Sequence, residues 1–256
     1  MTGSRNELMP LLPRKILLRL ERERFIVSWL GVLLNPYYIV RAGLLRVVNE
    51  WAGEISGRVL DFGCGSKPYE ELFTKVEEYI GLDTKSSGHD HTKSKVDVFY
   101  DGGTLPFDSE SMDAVVSFEV LEHVFDPSQT LEEISRVLKP SGKFLISVPF
   151  AWEETEPPFD FARYTVFGLR HLLEQAGFEI LRQSKTTSSF LASRQISIAL
   201  RFRSLRRVKH FLPVLQLLLI FPATLSALLW NRVIPSDSSL YSNQVILAQK
   251  PIEPRR

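Results

Sequence analysis

Two short apolar segments, each carrying an aspartate at its end, constrain this chain more than any other feature. Residues 59–62 contain Asp61 and lead into a Gly-Cys-Gly turn at 63–65, and residues 79–82 are followed by Asp83. Parallel strands with such ends form the crevice where open α/β sheets bind nucleotides. The glycines allow a sharp turn and a close backbone approach, and an acid about 20 residues later commonly meets ribose hydroxyls. The pattern predicts an α/β protein that binds an adenosine-containing cofactor.

The residues after the turn distinguish two kinds of cofactor. A dinucleotide site has a third glycine, in G-x-G-x-x-G, that lets helix and strand pack closely; this chain has Pro68 there. Asp61 precedes the turn, and an acid in that place suits a cationic ligand better than a pyrophosphate. The acid followed by G-x-G resembles the nucleotide-binding motif of class I S-adenosylmethionine-dependent methyltransferases. A nicotinamide-dependent oxidoreductase is the alternative.

The resemblance covers residues 58–189 and 242–250, with further motifs in the family's order. Residues 101–107 are similar to its third-strand loop, residues 112–124 to its fourth strand and the loop beyond, and residues 131–143 to the helix and turn before strand five. It implies a Rossmann-like, doubly wound α/β sheet of seven strands and S-adenosylmethionine as cofactor. Within that class the chain resembles methyltransferase type 11 proteins.

The resemblance also implies roles for residues of the cofactor site. The turn lines the methionine end of the cofactor, Asp83 accepts hydrogen bonds from the ribose, and Asp101 binds the adenine. Asp97 competes for the adenine, because Asp101 also begins a good turn sequence; for Asp61 the alternative is a carboxylate that caps the turn. The cofactor set expected from the first turn and the fourth strand is Asp61, Gly63, Cys64, Gly65, Ser117, Phe118 and Glu119.

His123, just beyond the fourth strand, is the candidate general base. A sulfonium methyl group is already activated, so its transfer needs mainly positioning, and a base helps when the acceptor is a hydroxyl. The alternative for His123 is packing within the cofactor loop. His89 and His91 form an H-x-H pair without further ligands, so no metal site is predicted.

The segment after the fifth strand is expected to form the acceptor pocket. Residues 149–165 are rich in aromatic residues and prolines and leave the sheet at its ligand-binding edge. The run at 160–165, Asp-Phe-x-Arg-Tyr-Thr, is similar to methyltransferases associated with bacterial surface-glycan gene clusters. The alternative is that the polar residues of this run cap the next helix and anchor the loop. The expected acceptor contacts are Trp152, Asp160, Arg163 and Tyr164.

Three regions differ in composition. A helical N-terminal extension is predicted at 1–57, with helices over 8–24 and 25–50 interrupted near Pro36 because proline disfavours helix there. The methyltransferase domain takes residues 58–189 and 240–256, and an apolar helical insertion takes 190–239. Residues 58–189 hold 13 Lys/Arg against 23 Asp/Glu, whereas residues 190–235 hold 7 Lys/Arg and no acid. An acidic domain repels phosphates, so nucleic acid is disfavoured as a substrate.

The insertion suggests a membrane surface. Phe211–Trp230 is a run of 20 uncharged residues, about the length that spans a bilayer, and the basic helix before it is typical of membrane-surface binding. If the strands on both sides of the insertion pair in one sheet, a single crossing is excluded and the chain would have to cross twice. Pro213 and Pro222 favour two short helices, and Phe25–Val40 is expected to lie beside them. A pair of helices buried in the protein or in a homodimer is the alternative.

Strands are predicted at about 58–62, 79–83, 96–100, 113–118, 143–149, 178–185 and 243–249, with a polar loop at 84–95 and a helix opening at Pro68. One cysteine excludes a disulfide within the chain and is compatible with a reducing cytosol.

The predicted function is methyl transfer to a hydroxyl of a small-molecule, glycan or lipid-linked acceptor, in the cytoplasm or at the inner face of the membrane. A non-catalytic cofactor-binding module is a further alternative.

Overall fold

A seven-stranded mixed sheet runs through the protein in a computed structural model that describes residues 19, 21–85 and 94–252. The spatial order of the strands is β3-β2-β1-β4-β5-β7-β6. Strands β1 to β5 are parallel to one another, and β7 runs antiparallel between β5 and β6. This confirms the predicted doubly wound sheet. The strands are β1 Gly57–Phe62, β2 Val76–Thr84, β3 Val98–Tyr100, β4 Met112–Phe118, β5 Leu138–Pro149, β6 Glu179–Lys185 and β7 Asn243–Gln249.

Both faces of the central strands are buried, which explains their continuous apolar sequences. One face contributes Leu60 and Val115 to a large core, and the other contributes Val59 and Val116 to a second core. In the register of the sheet Asp61 pairs with Gly81 of β2 and Val116 of β4. The carboxyl ends of β1, β2 and β4 therefore meet at one edge.

Six helices accompany the sheet in the described part of the chain. Polar side chains cap three of them: Asp126 accepts from the N–H of Gln129, Thr165 from that of Gly168, and Ser188 from that of Leu191. Such caps satisfy N–H groups that have no partner within the helix. The helices are α1 Gly31–Leu34, α2 Tyr38–Trp51, α3 Pro127–Val137, α4 Val166–Gln175, α5 Ser189–Leu205 and α6 Leu212–Trp230.

The prediction of a helix that begins at Pro68 is wrong. The structure has only a 3₁₀ turn at Glu70–Leu72, because β2 already begins at Val76 and leaves too few residues for a helix. The N-terminal helix α2 covers this face of the sheet instead, and its Val48 and Trp51 are buried in the second core. The N-terminal extension is thus part of the sheet's own packing.

The N-terminal helices also differ from the prediction. Residues 8–18 lie outside the described residues, and within 25–50 the helix is limited to α1 and α2. A turn precedes α1, where the amide of Asn35 donates to the carbonyl of Glu23 at 2.7 Å. The predicted loop at 84–95 carries His89 and His91, which lie outside the described residues; among the described ones no cluster of three or more metal-ligating side chains occurs.

The insertion contains a helical pair, α5 and α6, between β6 and β7. The prediction of two short helices in the apolar run is wrong, since α6 is continuous over Leu212–Trp230. Pro213 lies in its first turn, where a missing N–H costs nothing. Pro222 follows a π-helical turn at Gln216–Ile220, which accommodates the lost hydrogen bond without ending the helix.

A third core joins the insertion to the N-terminal extension, as expected for Phe25–Val40. Ile39 of α2 is buried there with Ile198 and Phe202 of α5 and Ile220 of α6. The fully buried Gln195 accepts from the N–H groups of Ile39 and Val40 and donates to the carbonyl of Pro36 at 2.9 Å. These bonds fix the N-terminal extension to the insertion.

Candidate functional site

Asp61 lies in β1 near its carboxyl end, and the structure buries its carboxylate almost completely. The hydroxyl of Tyr79 on β2 donates to one of its oxygens at 2.8 Å. Burial raises the pKa of Asp61 to about 7, and the hydrogen bond from Tyr79 opposes that rise. A carboxylate of this kind gains from a cationic ligand, because the ligand's charge stabilises the ionised form.

The glycine turn brings the ends of β1, β2 and β4 into contact. Gly63 has φ of +73°, and a Cβ atom there would lie 2.4 Å from Cγ2 of Val120. The N–H of Gly65 donates to Asp83 at 3.0 Å, and the N–H of Thr84 donates to the other oxygen of Asp83 at 2.8 Å. Each oxygen of Asp83 keeps a lone pair for a further donor. The turn therefore positions this acid at the edge of the site.

Cys64, between the two glycines, is buried against β2. A Cβ atom on Gly81 would come within 2.7 Å of its sulfur, and burial raises the pKa of the Cys64 thiol. The thiol is therefore a packing group beneath the turn and no nucleophile.

Lys67 is a site residue that sequence reasoning missed. Its buried ammonium donates to Asp97 at 2.5 Å and to the carbonyl of Tyr79 at 3.2 Å. Burial alone raises the pKa of Asp97, but the hydrogen bonds from Lys67 and from the N–H of Gly81 lower it below its usual value. Asp97 is thus tied to the sheet, whereas Asp101 is exposed on the loop beyond β3. The one trace of this role in the sequence is the glycine at position 81. In the structure, a side chain at Gly81 would collide with Lys67.

The end of β4 sends its side chains in two directions. Ser117 is buried, and the ring of Phe118 packs on Tyr69 at 4.9 Å, toward the core beneath α2. Glu119 follows with φ of +58°. Its oxygens accept from the hydroxyl of Ser147 at 2.7 Å and from the amide of Asn243. Burial raises the pKa of Glu119, and the bond from Ser147 opposes the rise.

His123 lies in a 3₁₀ turn at Leu121–His123. Its Nδ1 is 2.8 Å from the carbonyl of Phe159, a contact that requires a proton on Nδ1 and leaves Nε2 as an acceptor in the neutral ring. Nε2 is 3.8 Å from the carboxyl of Glu122. Glu122 is buried and one of its oxygens has no partner; burial and the neighbouring Glu119 hold its pKa well above the usual value.

The loop after β5 folds against this turn. Arg163 donates to both oxygens of Asp160, at 2.5 and 2.7 Å, and to the carbonyl of Glu153. The bond from Arg163 lowers the pKa of Asp160. The hydroxyl of Tyr164 is 3.4 Å from the carbonyl of Leu121. Asp160, Arg163 and Tyr164, predicted as acceptor contacts, thus hold the loop in place. This corresponds to the alternative predicted from the sequence, in which these residues anchor the loop.

Trp152, the fourth predicted acceptor contact, faces the N-terminal extension. Its ring packs edge-on against Tyr37, with 5.9 Å between the ring centroids.

Taken together, these contacts place five features at one edge of the sheet: the glycine turn, Asp83, Glu119, His123 and the loop after β5.

Comparison with known proteins agrees with this geometry. The family described as methyltransferase domain matches residues 60–146. A probable S-adenosylmethionine-dependent methyltransferase of Mycolicibacterium smegmatis is 36% identical over 146 residues, 52% of this chain and 57% of that protein. A second protein of that name, from Mycobacterium tuberculosis, is 32% identical over 131 residues, 47% of this chain and 48% of its own length. Residues 60–146 thus match the methyltransferase domain family, and the chain is similar to proteins named as probable S-adenosylmethionine-dependent methyltransferases.

Other relatives extend the comparison. A ubiquinone biosynthesis O-methyltransferase of Coxiella burnetii is 26% identical over 123 residues, 44% of this chain and 53% of that protein. The chain thus spans about half the length of these curated relatives. Among solved structures, the [4+2]-cyclase SpnF superposes with a TM-score of 0.54 at 20% identity, over 84% of this chain and 82% of that one. An S-adenosylmethionine-dependent methyltransferase of Mesorhizobium loti superposes with a TM-score of 0.50 at 14% identity, over 82% and 99% of the two chains.

The residues at the sheet edge fit the family's cofactor, S-adenosylmethionine. Asp61 offers a buried carboxylate for an ammonium group, and Asp83 offers two acceptors for hydroxyls. A pyrophosphate would meet these two acids instead of the N-terminus of a helix, because only a 3₁₀ turn follows Pro68. The geometry therefore does not favour the nicotinamide alternative.

Proposed function

We propose that the protein transfers a methyl group from S-adenosylmethionine to a hydroxyl of a small-molecule, glycan or lipid-linked acceptor. The observation that carries the proposal is the placement of Asp61, Asp83 and His123 at the carboxyl ends of the adjacent strands β1, β2 and β4 in a methyltransferase-type sheet. The O-methyltransferase among the relatives supports oxygen as the acceptor atom. The fold alone would not suffice, since one structural neighbour is a cyclase.

Three acids would hold the cofactor, which supplies a methyl group already activated on a sulfonium. Asp61 pairs with the ammonium of the methionine end, where its own burial makes the charge pair strong. Asp83 accepts from the ribose hydroxyls while the N–H of Gly65 fixes its orientation. Asp101, exposed beyond β3, binds the adenine. Ser117 and Glu119, at the end of β4, would lie beside the cofactor, and Glu119 is held there by Ser147 and Asn243.

His123 would act as the general base. The carbonyl of Phe159 holds the proton on Nδ1, so that Nε2 accepts the proton of the acceptor hydroxyl. The carboxyl of Glu122 lies 3.8 Å from Nε2, and the imidazolium that forms would favour its ionised form. The acceptor hydroxyl loses its proton only while the new bond to the methyl group forms. His123 therefore does not have to generate a free alkoxide beforehand, and no second base is assigned.

The acceptor would lie against exposed rings near His123. Phe125 and Phe161 are both exposed and pack edge-on at 5.4 Å, with Phe159 beside them in the sequence. Aromatic faces suit the apolar faces of sugar rings and isoprenoid chains. This supports a glycan or lipid-linked acceptor, met in the cytoplasm at the inner face of the membrane.

The test uses S-adenosylmethionine with a labelled methyl group, incubated with the full chain and host extract and then partitioned between organic and aqueous phases. Enzyme-dependent label in the organic phase indicates a lipid or lipid-linked acceptor, and label in the aqueous phase indicates a soluble glycan or small molecule. His123→Gln is expected to lower the transfer by about a hundredfold or more at unchanged affinity for S-adenosylhomocysteine. Cofactor binding without labelled product would support the non-catalytic alternative, and tighter binding of NAD than of S-adenosylhomocysteine would refute the proposal.

A further inference from the structure

An uninterrupted stripe of apolar side chains faces solvent along α6. Among the described residues, α6 is the helix that is long and apolar enough to cross a membrane, yet only 17% of its apolar window is buried in the protein. Its buried side, Ile220, Thr224 and Ala227, packs into the third core. Exposed apolar patches of this extent mark interaction sites. The stripe, here called the α6 stripe, consists of Phe211, Val214, Leu217, Leu218, Leu225, Leu229, Trp230 and Val233.

Exposed arginines lie at both ends of the α6 stripe. Arg206 and Arg207 precede it and Arg232 lies at its far end, and all three are exposed. Residues 190–235 contain no acid that could neutralise them. A helix with an apolar face and cationic ends is suited to lie in the plane of an anionic membrane surface, with the arginines at the headgroups.

The topology excludes a crossing by α6 alone. The end of β6 pairs with the start of β7, Lys185 with Gln244, so the insertion leaves and re-enters the sheet at the same place. Crossing would therefore require α5 to enter the bilayer as well, with its exposed Arg201 and Arg203, and charged groups at such depth are costly. An in-plane position leaves these arginines in water.

A second copy of the chain fits the α6 stripe less well than lipid does. A two-fold interface places the same surface on both partners, and here it would bring together two basic surfaces that lack acids. Leu34, exposed in α1, enlarges the apolar surface, and the amide of Gln216 in α6 holds it there by donating to its carbonyl at 2.7 Å. Trp29, in the turn before α1, is also exposed. Tryptophan is typical of the membrane interface.

The α6 stripe is linked to the loop after β5 through α5. Arg203 forms an ion pair with Glu153 at 2.5 Å, and Phe202 packs on Tyr37, which in turn packs on Trp152. We infer that the α6 stripe docks the protein on an anionic bilayer and so places the acceptor loop at the membrane surface. This placement rests on the proposed function; the docking itself does not.

Vesicle flotation of the full chain without cofactor tests the docking. We expect binding to vesicles of phosphatidylglycerol and phosphatidylcholine, weaker binding in high salt because charges are screened, and little binding to phosphatidylcholine alone. Leu218→Glu with Leu229→Glu should lower binding by about tenfold or more, since two apolar contacts are replaced by charges. Leu181→Glu, at an exposed leucine of β6, is the matched control and should bind like the wild type.

A second pair of variants keeps the test independent of folding. Arg206→Gln with Arg207→Gln should weaken binding and reduce its salt dependence, whereas Arg46→Gln, at an exposed arginine of α2, should not. Circular dichroism and affinity for S-adenosylhomocysteine are measured in parallel. Wild-type protein that does not float at low salt, or glutamate variants that float like the wild type, would overturn the docking. Dimerisation lost in Leu218→Glu, without vesicle binding, would assign the α6 stripe to a second copy instead. Flotation without binding of S-adenosylhomocysteine would refute the proposed function and leave the docking standing.

Discussion

Tyr79→Phe removes the hydroxyl that donates to the buried carboxylate of Asp61 at 2.8 Å. A hydrogen bond to a charged group is worth about 1.5–3 kcal/mol, and about 1.4 kcal/mol corresponds to one pKa unit. The bond stabilises the ionised form and lowers the pKa, so its loss raises the pKa of Asp61 by about one unit from its value of about 7. At pH 7 the ionised fraction then falls from about half to about a tenth.

Cofactor affinity should follow that fraction, because the protonated acid no longer attracts the ammonium of the methionine end. We expect Tyr79→Phe to weaken S-adenosylhomocysteine binding about fivefold at pH 7 and hardly at all at pH 9, where both proteins are ionised. Calorimetric titrations from pH 6 to 9 measure this ratio. Tyr69→Phe, at a buried tyrosine whose ring packs on Phe118, is the control. An equal loss at both pH values, or a wild-type affinity that does not rise through pH 7, would refute the assignment of Asp61.

Three further outcomes are expected. Gly63→Ala should lower cofactor affinity about tenfold or more and destabilise the fold by about 1–3 kcal/mol, as measured by calorimetry and thermal melting. The control is Gly102→Ala: Gly102 also has a positive φ but has open space around it, so this substitution should destabilise the fold less. Asp83→Ala should weaken cofactor binding by more than about tenfold because the ribose contact is lost, and it should leave the fold intact but lower the melting temperature, because the N–H groups of Gly65 and Thr84 lose a buried acceptor. Unchanged affinity would exclude the ribose role. Gln195→Ala should lower the free energy of unfolding in urea by about 1–3 kcal/mol, because buried backbone groups lose their hydrogen-bond partner. A loss below about 0.5 kcal/mol, which is roughly the error of such a measurement, would show that α5 does not hold the N-terminal extension.

The sequence predicts the sheet well because its signals are local. Apolar runs that end in an acid or a glycine specify the buried parallel strands, and all seven strands overlap their expected ranges, although β5 begins at Leu138 instead of at 143. The helix at Pro68 was predicted wrongly from equally local signals, a proline followed by Glu70 and Glu71. Its absence depends on the distance to β2 and on α2 covering that face of the sheet, and neither is visible in a local pattern.

The candidate site was predictable only in part. The acids at strand ends follow from the motif, but the partners that hold them come from distant parts of the chain: Tyr79 for Asp61, and Asn243 for Glu119. The acceptor loop shows the same limit. Composition identifies it as special, yet only the fold shows that Arg163 holds Asp160 within the loop.

The antiparallel pairing of β6 with β7 has a consequence for how this protein can change. Because the insertion starts and ends beside one register pair, Lys185 and Gln244, its length can vary without shifting any strand. The N–H of Thr186 donates to the carbonyl of Asn243 at 2.9 Å and closes the base of the insertion like a hairpin. The insertion is thus an exchangeable module: a chain with a shorter or longer one would keep the same sheet edge and the same chemistry, and would meet its substrate at a different surface.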